Sequence, residues 1–427
     1  MRDGARASRR DFLRGTGGLA MLGALAACGS NHGGASGASG GGLAQWYHAY
    51  GEKGTEQAAK RYAAAYPKAK VSVRWIPGQY VTALSSGLLG SSGPDVFEDQ
   101  LNVELVHSKE VIPLDDVLGM AKSDFVDAAL ATNTVDGRVY GIPMVEDMQL
   151  LYYRKSLLKK ARVAPPTTLD ELAEVAKALT TKDVKGLFLG NFVDSDGSGN
   201  ITPLGGPLLW SAGLDLLSTD GGSAGFDDPR AGAAIDKLRS LYGSGHLLLG
   251  APTDWSDPSA FTQGLAAMQW SGLWAMPAVL AKFGDDFGVL PFPKLDGKGE
   301  VSVPIGTYAA MVNAKSEHQD EAKDFIKWLW VDKTDYQEDF NLNYGFHLPP
   351  RKSIAAQASK LKTGPAADAV SYSTQHGHPA SPPLWTPVMS TAYQGALTNI
   401  IKKNKDSGQE LATAAATVQK ELERIAK

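Results

Sequence analysis

The chain has 427 residues, with 46 acidic and 42 basic side chains for a formal net charge of −4, and a single cysteine. This balance offers no basic footprint for nucleic acid, and one thiol excludes a disulfide within the chain, so a secreted domain must rest on its hydrophobic core. Residues 43 to 427 are more than one ordinary core accommodates and predict two domains.

The first 27 residues read as an export signal. "SRRDFLR" (8–14) pairs two arginines with Phe12 and Leu13 and resembles the twin-arginine leader; the thirteen uncharged residues after it fall well short of the roughly 20 that span a membrane. Glycines at 15, 17, 18 and 23 argue against an exposed amphipathic helix. Leu25-Ala26-Ala27-Cys28 resembles a bacterial lipobox, in which the chain is cut before Cys28 and the thiol receives diacylglycerol. Each buried methylene contributes about 0.8 kcal/mol, and two acyl chains anchor where one is marginal. Residues 28–42 are then the lipidated cysteine and a Gly/Ser/Ala tether; its fourteen residues reach roughly 20 Å as a coil.

Next, "GLAQWYHAY" predicts a strand, "EQAAKRYAAAYP" a helix ended by Pro67, and "KVSVRWIP" a strand with Val71, Val73 and Trp75 on one face. That β-α-β order opens an α/β domain with a parallel sheet. "TTLDELAEVAKALT" starts a helix at a Thr168 cap with Glu171 three residues on, and Leu169, Leu172, Val175 and Leu179 form its apolar stripe. "DDPRAGAAIDKLRSLY" places Asp228 ahead of Pro229 at the first helical position. "DEAKDFIKWLW" predicts a helix burying Ala322, Phe325, Ile326 and Leu329, and "ELATAAATVQKELERIAK" a terminal amphipathic helix.

Enzyme motifs are scarce: no GxGxxG with a following acid, HExxH or GxxxxGK occurs. His376-Gly377-His378 is the one close histidine pair and lacks neighbouring acids for zinc; Asp115-Asp116, Asp227-Asp228 and Asp285-Asp286 sit at turns or helix starts, where carboxylates cap. No cofactor and no catalytic residue is expected. Instead, the chain has nine tryptophans, several of them beside polar groups at turns. "QWYHAYGEKG" presents Trp46, His48 and Glu52 at the end of the first strand, the edge where open α/β sheets bind ligands. "WSGLWAMP" sets Trp270 and Trp274 about one turn apart, and "PPLWTP" holds Trp385 between prolines. Flat apolar rings beside carboxylates and amides suit a sugar.

Five stretches resemble one family in order along the folded part: "GSSGPDVFEDQ" (90–100), "DGRVYGIPMVED" (136–147), "LYYRKSLLKKARVAPPTTLDEL" (151–172), "FTQGLAAMQWSGLW" (261–274) and "FGVLPFPKLDGKG". The family is the extracellular solute-binding lipoproteins of ABC importers, in its carbohydrate-binding branch with the maltodextrin-binding proteins. Arg154 replaces the family's usual Asn and Leu169 its usual Trp, both on the scaffold side of the motif. The resemblance implies an α/β fold of two lobes around a hinged cleft, with chain crossings near 143–147, 303–308 and 337–346. The lobes would be 43–145 with 305–340, and 146–304 with 341–427. It also implies a carbohydrate ligand, ABC permease subunits as partners, a membrane contact through the lipid anchor alone, and a monomer outside the cytoplasm.

Within that frame Asp95 is expected to brace the strand after it. Glu98 and especially Asp99 reach the cleft edge from a strand end, Glu146 and Asp147 follow a proline-terminated strand, and Gly306 and Tyr308 precede an apolar one. Trp274 is expected as a stacking platform facing Trp46 or His48 and Glu52, with Gly272 admitting the ligand and Pro277 stopping the turn. Aromatic candidates at 46, 274, 308 and 385 favour a di- or oligosaccharide. The alternative keeps the fold and binds a polyamine, an amino acid derivative or a metal chelate at Glu52, Asp99, Glu146 and Asp147; a glycan-degrading lipoprotein is more remote. "SDGSGNITPLGG" and "QHGHPASPP" could widen the cleft or close one end of it.

Overall fold

The computed structural model describes residues 42–191, 202–297, 299–380 and 382–426; the leader, Cys28 and nearly all of the tether lie outside these, as do residues 195–201 of the first of those two loops. The chain opens as predicted. Strand β1 (Gly42–His48), the helix Thr55–Ala64 and β2 (Lys70–Ile76) form a parallel unit, and β3 (Val96–Asp99) joins the other side of β1, again parallel. Asp95 braces this start, accepting from Ala44 N at 2.7 Å and from the Ser316 hydroxyl.

A short hairpin, β4 (Thr134–Val135) and β5 (Arg138–Val139), precedes β6 (Ile142–Tyr153); β7 (Met268–Gly272), β8 (Gly288–Leu290), β9 (Val303–Val312) and β10 (Gly377–Pro379) complete the strands. The main sheet has the order β2-β1-β3-β9-β6-β7, with β10 on β9 and β8 on β6. β9 runs antiparallel to both β3 and β6. The twelve-residue β6 serves two neighbourhoods. Ile142–Met148 pairs with β9, and Gln149–Tyr153 pairs with β7 and β8. Its register slips between Pro143 and Val145, where proline has no N–H for the ladder.

Burial follows that division. One pair of cores, including Tyr47, Phe97, Val145, Met311 and Trp330, draws on residues 43–145 and 309–340; the other, including Leu151, Trp270, Phe287, Leu361 and Leu397, draws on 148–303 and 342–422. β6 and β9 contribute to both.

Local signals act where they were read. Thr168 and Glu171 form a reciprocal capping box, and Leu169, Leu172, Val175 and Leu179 are buried. Asp228 accepts from Arg230 N ahead of Pro229. Some boundaries shift: the first helix ends three residues before Pro67, and the last begins at Ser407 on an Asp406 cap. Trp270 lies on β7 rather than one helical turn from Trp274. Within the third expected crossing, Asp339–Tyr344 is a π-helical stretch, followed by two backbone hydrogen bonds between Leu348 and Glu146. Arg154 ion-pairs with Asp286, at 2.6 Å through Nη2, and lies over the Phe283 ring, which explains how a long cation replaces an asparagine on the scaffold.

Candidate functional site

The register of β3, β9 and β6 sorts the residues where the two sets of cores meet. Asp99 sits opposite Ala309, and Glu146 opposite Thr307, so these four share one sheet face; Glu98, Tyr308, Gly306 and Asp147 share the other.

On the second face, two histidines each collect carboxylates. Glu98 is buried and accepts from His48 N at 2.7 Å, from the Tyr50 hydroxyl at 2.7 Å and against His48 Nδ1 at 2.5 Å. Burial opposes charge on His48, but Glu98 outweighs it and the imidazole binds its proton more tightly than usual. The His48 ring stacks on Tyr308 at 4.6 Å and on Tyr50 at 4.0 Å, and the Tyr80 hydroxyl closes the cluster on Glu98 O.

His347, 1% exposed, forms the second group. Its Nδ1 is 2.5 Å from Asp147 Oδ1, and its Nε2 is 2.8 Å from Glu52 Oε1, the latter an ion-pair contact without hydrogen-bond alignment. Burial would strip its proton, but Asp147 and then Glu52 push its pKa up to about 10, so it is an imidazolium. Burial would likewise raise Glu52, yet His347 holds it below the usual carboxylate range. Glu52 and Asp147, expected as ligand contacts, are thus brought together on a histidine. One oxygen of each is set against its imidazolium.

On the first face nothing pairs with Glu146. It is 6% exposed, its carboxyl makes no hydrogen bond among the described residues, and burial followed by Asp147 pushes it up to about 7. Among the described residues Asp99 accepts only from Gln100 N, at 2.8 Å; burial pushes it to about 7 against that hydrogen bond, with Glu98 adding and His48 subtracting. Beside them Gln100, Leu101, Thr132, Ile305, Gly306 and Thr307 line a cavity of about 10 Å³, the scale of one water. A Cβ on Gly306 would stand 3.0 Å from Gln100 Nε2, so glycine keeps that contact open.

The tryptophans divide differently from expectation. Trp46 is 8% exposed, packed with Ile76, Leu84 and Phe97 under the Arg74 guanidinium, and does not face Trp274. Strand alternation turns it away from its neighbour Tyr47 and into the packing beneath. Trp385, 9% exposed, packs with Phe226 and Tyr393 in the core that the C-terminal helices form. Trp274 is half-buried; its Nε1 donates to Ser256 O at 2.7 Å and its ring meets Trp255 edge-on. Gly272 has another role than admitting ligand: a Cβ there would run into the Trp274 ring, so the glycine is the ring's seat. Pro277 begins the helix Met276–Phe283 instead of stopping a turn. His378 stacks on Trp210 at 4.7 Å.

A larger cavity of about 710 Å³ lies between Val103, His107 and the β4–β5 turn on one side and Gly221, Leu384 and the end of the last helix on the other. It is lined by no aromatic side chain except His107 and by none of the ten expected contacts, so a sugar face has little to stack on there. The junction of β3, β9 and β6 carries the chemistry instead. His347 and the hub role of Glu98 escape sequence reading because their partners lie 200 and 50 residues away. The "YGFHLPP" stretch offered only an isolated histidine between turn residues.

Residues 46–333 match the family described as bacterial extracellular solute-binding protein. The chain belongs to this family. The protein is therefore a solute-binding receptor rather than an enzyme. It is 26% identical to the galactooligosaccharide-binding protein of Bacillus subtilis over 347 residues, 78% of this chain and 77% of that one. It is also 26% identical to the maltodextrin-binding protein MdxE of the same species, over 70% of each. Among solved structures, a solute-binding protein of Thermotoga lettingae bound with α-D-tagatose aligns with a TM-score of 0.77 at 19% identity, over 90% of this chain and all of that one. The GacH receptor of Streptomyces glaucescens aligns at 0.74 and 23% identity, over 90% and 98%. The fold is that of the periplasmic-binding-protein-like α/β receptors.

Proposed function

We propose that this receptor binds a di- or oligosaccharide outside the cytoplasm and delivers it to the permease of an ABC importer. The observation that carries the reading is the junction of β3, β9 and β6, where carboxyls, an amide and aromatic rings collect at the end of β3 and within β9 and β6, the two strands shared by both sets of cores. Relatives named for galactooligosaccharide and maltodextrin binding support it. The lobes are 43–145 with 305–340 and 146–304 with 341–427, and closure about the shared strands is the signal to the permease. Asp99 and Glu146 accept sugar hydroxyls, Gly306 admits the ligand to the backbone, and Trp274 stacks from the opposite lobe, with Tyr308 at its margin. Cleavage before Cys28 and its diacylation tether a monomer to the membrane surface.

Two measurements test this. A thermal-shift screen against mono-, di- and trisaccharides should show its largest stabilisation with a sugar of two or more rings; a response to monosaccharide alone, or to putrescine alone, overturns the ligand. Small-angle scattering should show compaction under saturating sugar, and an unchanged profile rules out closure.

A further inference from the structure

The cations at this junction are spent before the ligand arrives. His48 serves Glu98, and His347 serves both Asp147 and Glu52. Asp99 and Glu146 are left on one face, flanking β9, and neither contacts a lysine or arginine among the described residues. Glu146 is the sharper case: 94% buried, its carboxyl without a hydrogen bond among the described residues, on the face it shares with Thr307 at the small cavity. A neutral sugar can donate hydroxyl hydrogens to these groups but brings no charge. Closing two carboxylates under it removes water without replacing a counter-ion, a costly exchange. An ammonium brings both the charge and three N–H donors.

We propose that the cleft selects a saccharide carrying a basic nitrogen, an amino sugar whose ammonium is received by Glu146, with Asp99 as the second acidic contact. This rests on the saccharide reading above and narrows it. Burial leaves both carboxyls titrating at about 7 in the free protein. An ammonium favours the carboxylate form, so its binding releases protons near neutrality. The groups facing them set that behaviour: Asp147, with His347 behind it, beside Glu146; Glu98, His48, Tyr80 and Tyr308 around Asp99.

The test is calorimetry on the full chain with matched pairs, maltose and cellobiose each against its 2-amino-2-deoxy counterpart, and with putrescine. In whichever linkage binds, the amino member should bind at least tenfold tighter than its parent at pH 7. The advantage should shrink at least tenfold at pH 5 and in Glu146→Gln, with proton release scaling with buffer ionisation heat. Equal or tighter binding of the neutral parent overturns the amine preference and leaves the saccharide reading standing, as does an advantage that survives in both Glu146→Gln and Asp99→Asn. Binding of putrescine without any sugar, or of none of these probes, overturns both.

Discussion

His347 Nδ1 lies 2.5 Å from Asp147 Oδ1, so a side chain from the segment after a π-helix is fixed to the middle of β6, the strand that passes from one set of cores to the other. Removing this imidazolium leaves Glu52 and Asp147 buried and unpaired. His347→Gln should lower stability by about 3 kcal/mol or more, read by urea unfolding. A loss below about 0.5 kcal/mol would show that the carboxylates find other partners.

The same histidine fixes a pH dependence. It holds its proton to about 10 in the folded chain, against an ordinary value near 6.5. Its stabilisation is complete below about pH 6.5 and is lost progressively as pH rises towards 10. Unfolding free energy of the wild type should fall between pH 7 and 9.5 more steeply than that of His347→Gln; parallel curves would place the titration elsewhere.

Asp99 and Glu146 have raised values, so the folded chain holds protons that the unfolded chain gives up between about pH 4 and 7. Their contribution is full below pH 4 and fades as pH passes 7. Asp99→Asn and Glu146→Gln should each stabilise the ligand-free protein at pH 8 by about 1 kcal/mol while weakening ligand binding, the exchange expected at a built binding site. Asp99 keeps partial access to solvent, which limits the gain. Stabilisation with undiminished affinity would remove these residues from the site.

Trp274 and Gly272 form a coupled pair. Trp274→Ala should weaken sugar binding by about 1–3 kcal/mol with little loss of stability. Gly272→Ala should destabilise the wild type by crowding the ring, and cost much less in the Trp274→Ala background. Additive costs in thermal unfolding would show that the ring is not what the glycine accommodates.

Trp46 offers the contrast. Its ring fills packing between β1 and the helix Tyr80–Leu89, so Trp46→Ala should cost about 3–5 kcal/mol, and Trp46→Phe should leave sugar affinity unchanged. A tenfold weaker ligand in a well-folded Trp46→Phe protein would return this ring to the cleft.

The sequence alone determined what short range encodes. The Thr168 and Asp228 caps, the apolar stripe from Leu169 to Leu179 and the opening β-α-β are set by hydrogen bonds and periodicities within a few residues, and they stand in the structure where they were read. Asp95 was legible as a brace but not its partners: it accepts from Ala44 N on β1 and from the Ser316 hydroxyl, 51 and 221 residues away, rather than from the strand after it. Function-bearing residue types were legible too, but not their partners. Glu52 and Asp147 read as free carboxylates until the fold set His347 between them, and Trp46 and Trp385 read as exposed rings until packing buried them. Glu146 has its distinction by subtraction, because two histidines from distant segments neutralise every neighbour except it and Asp99. A buried charge is defined by what lies within a few ångströms of it, and here the chain brings those groups from 50 (His48 to Glu98), 200 (Asp147 to His347) and 295 (Glu52 to His347) residues away.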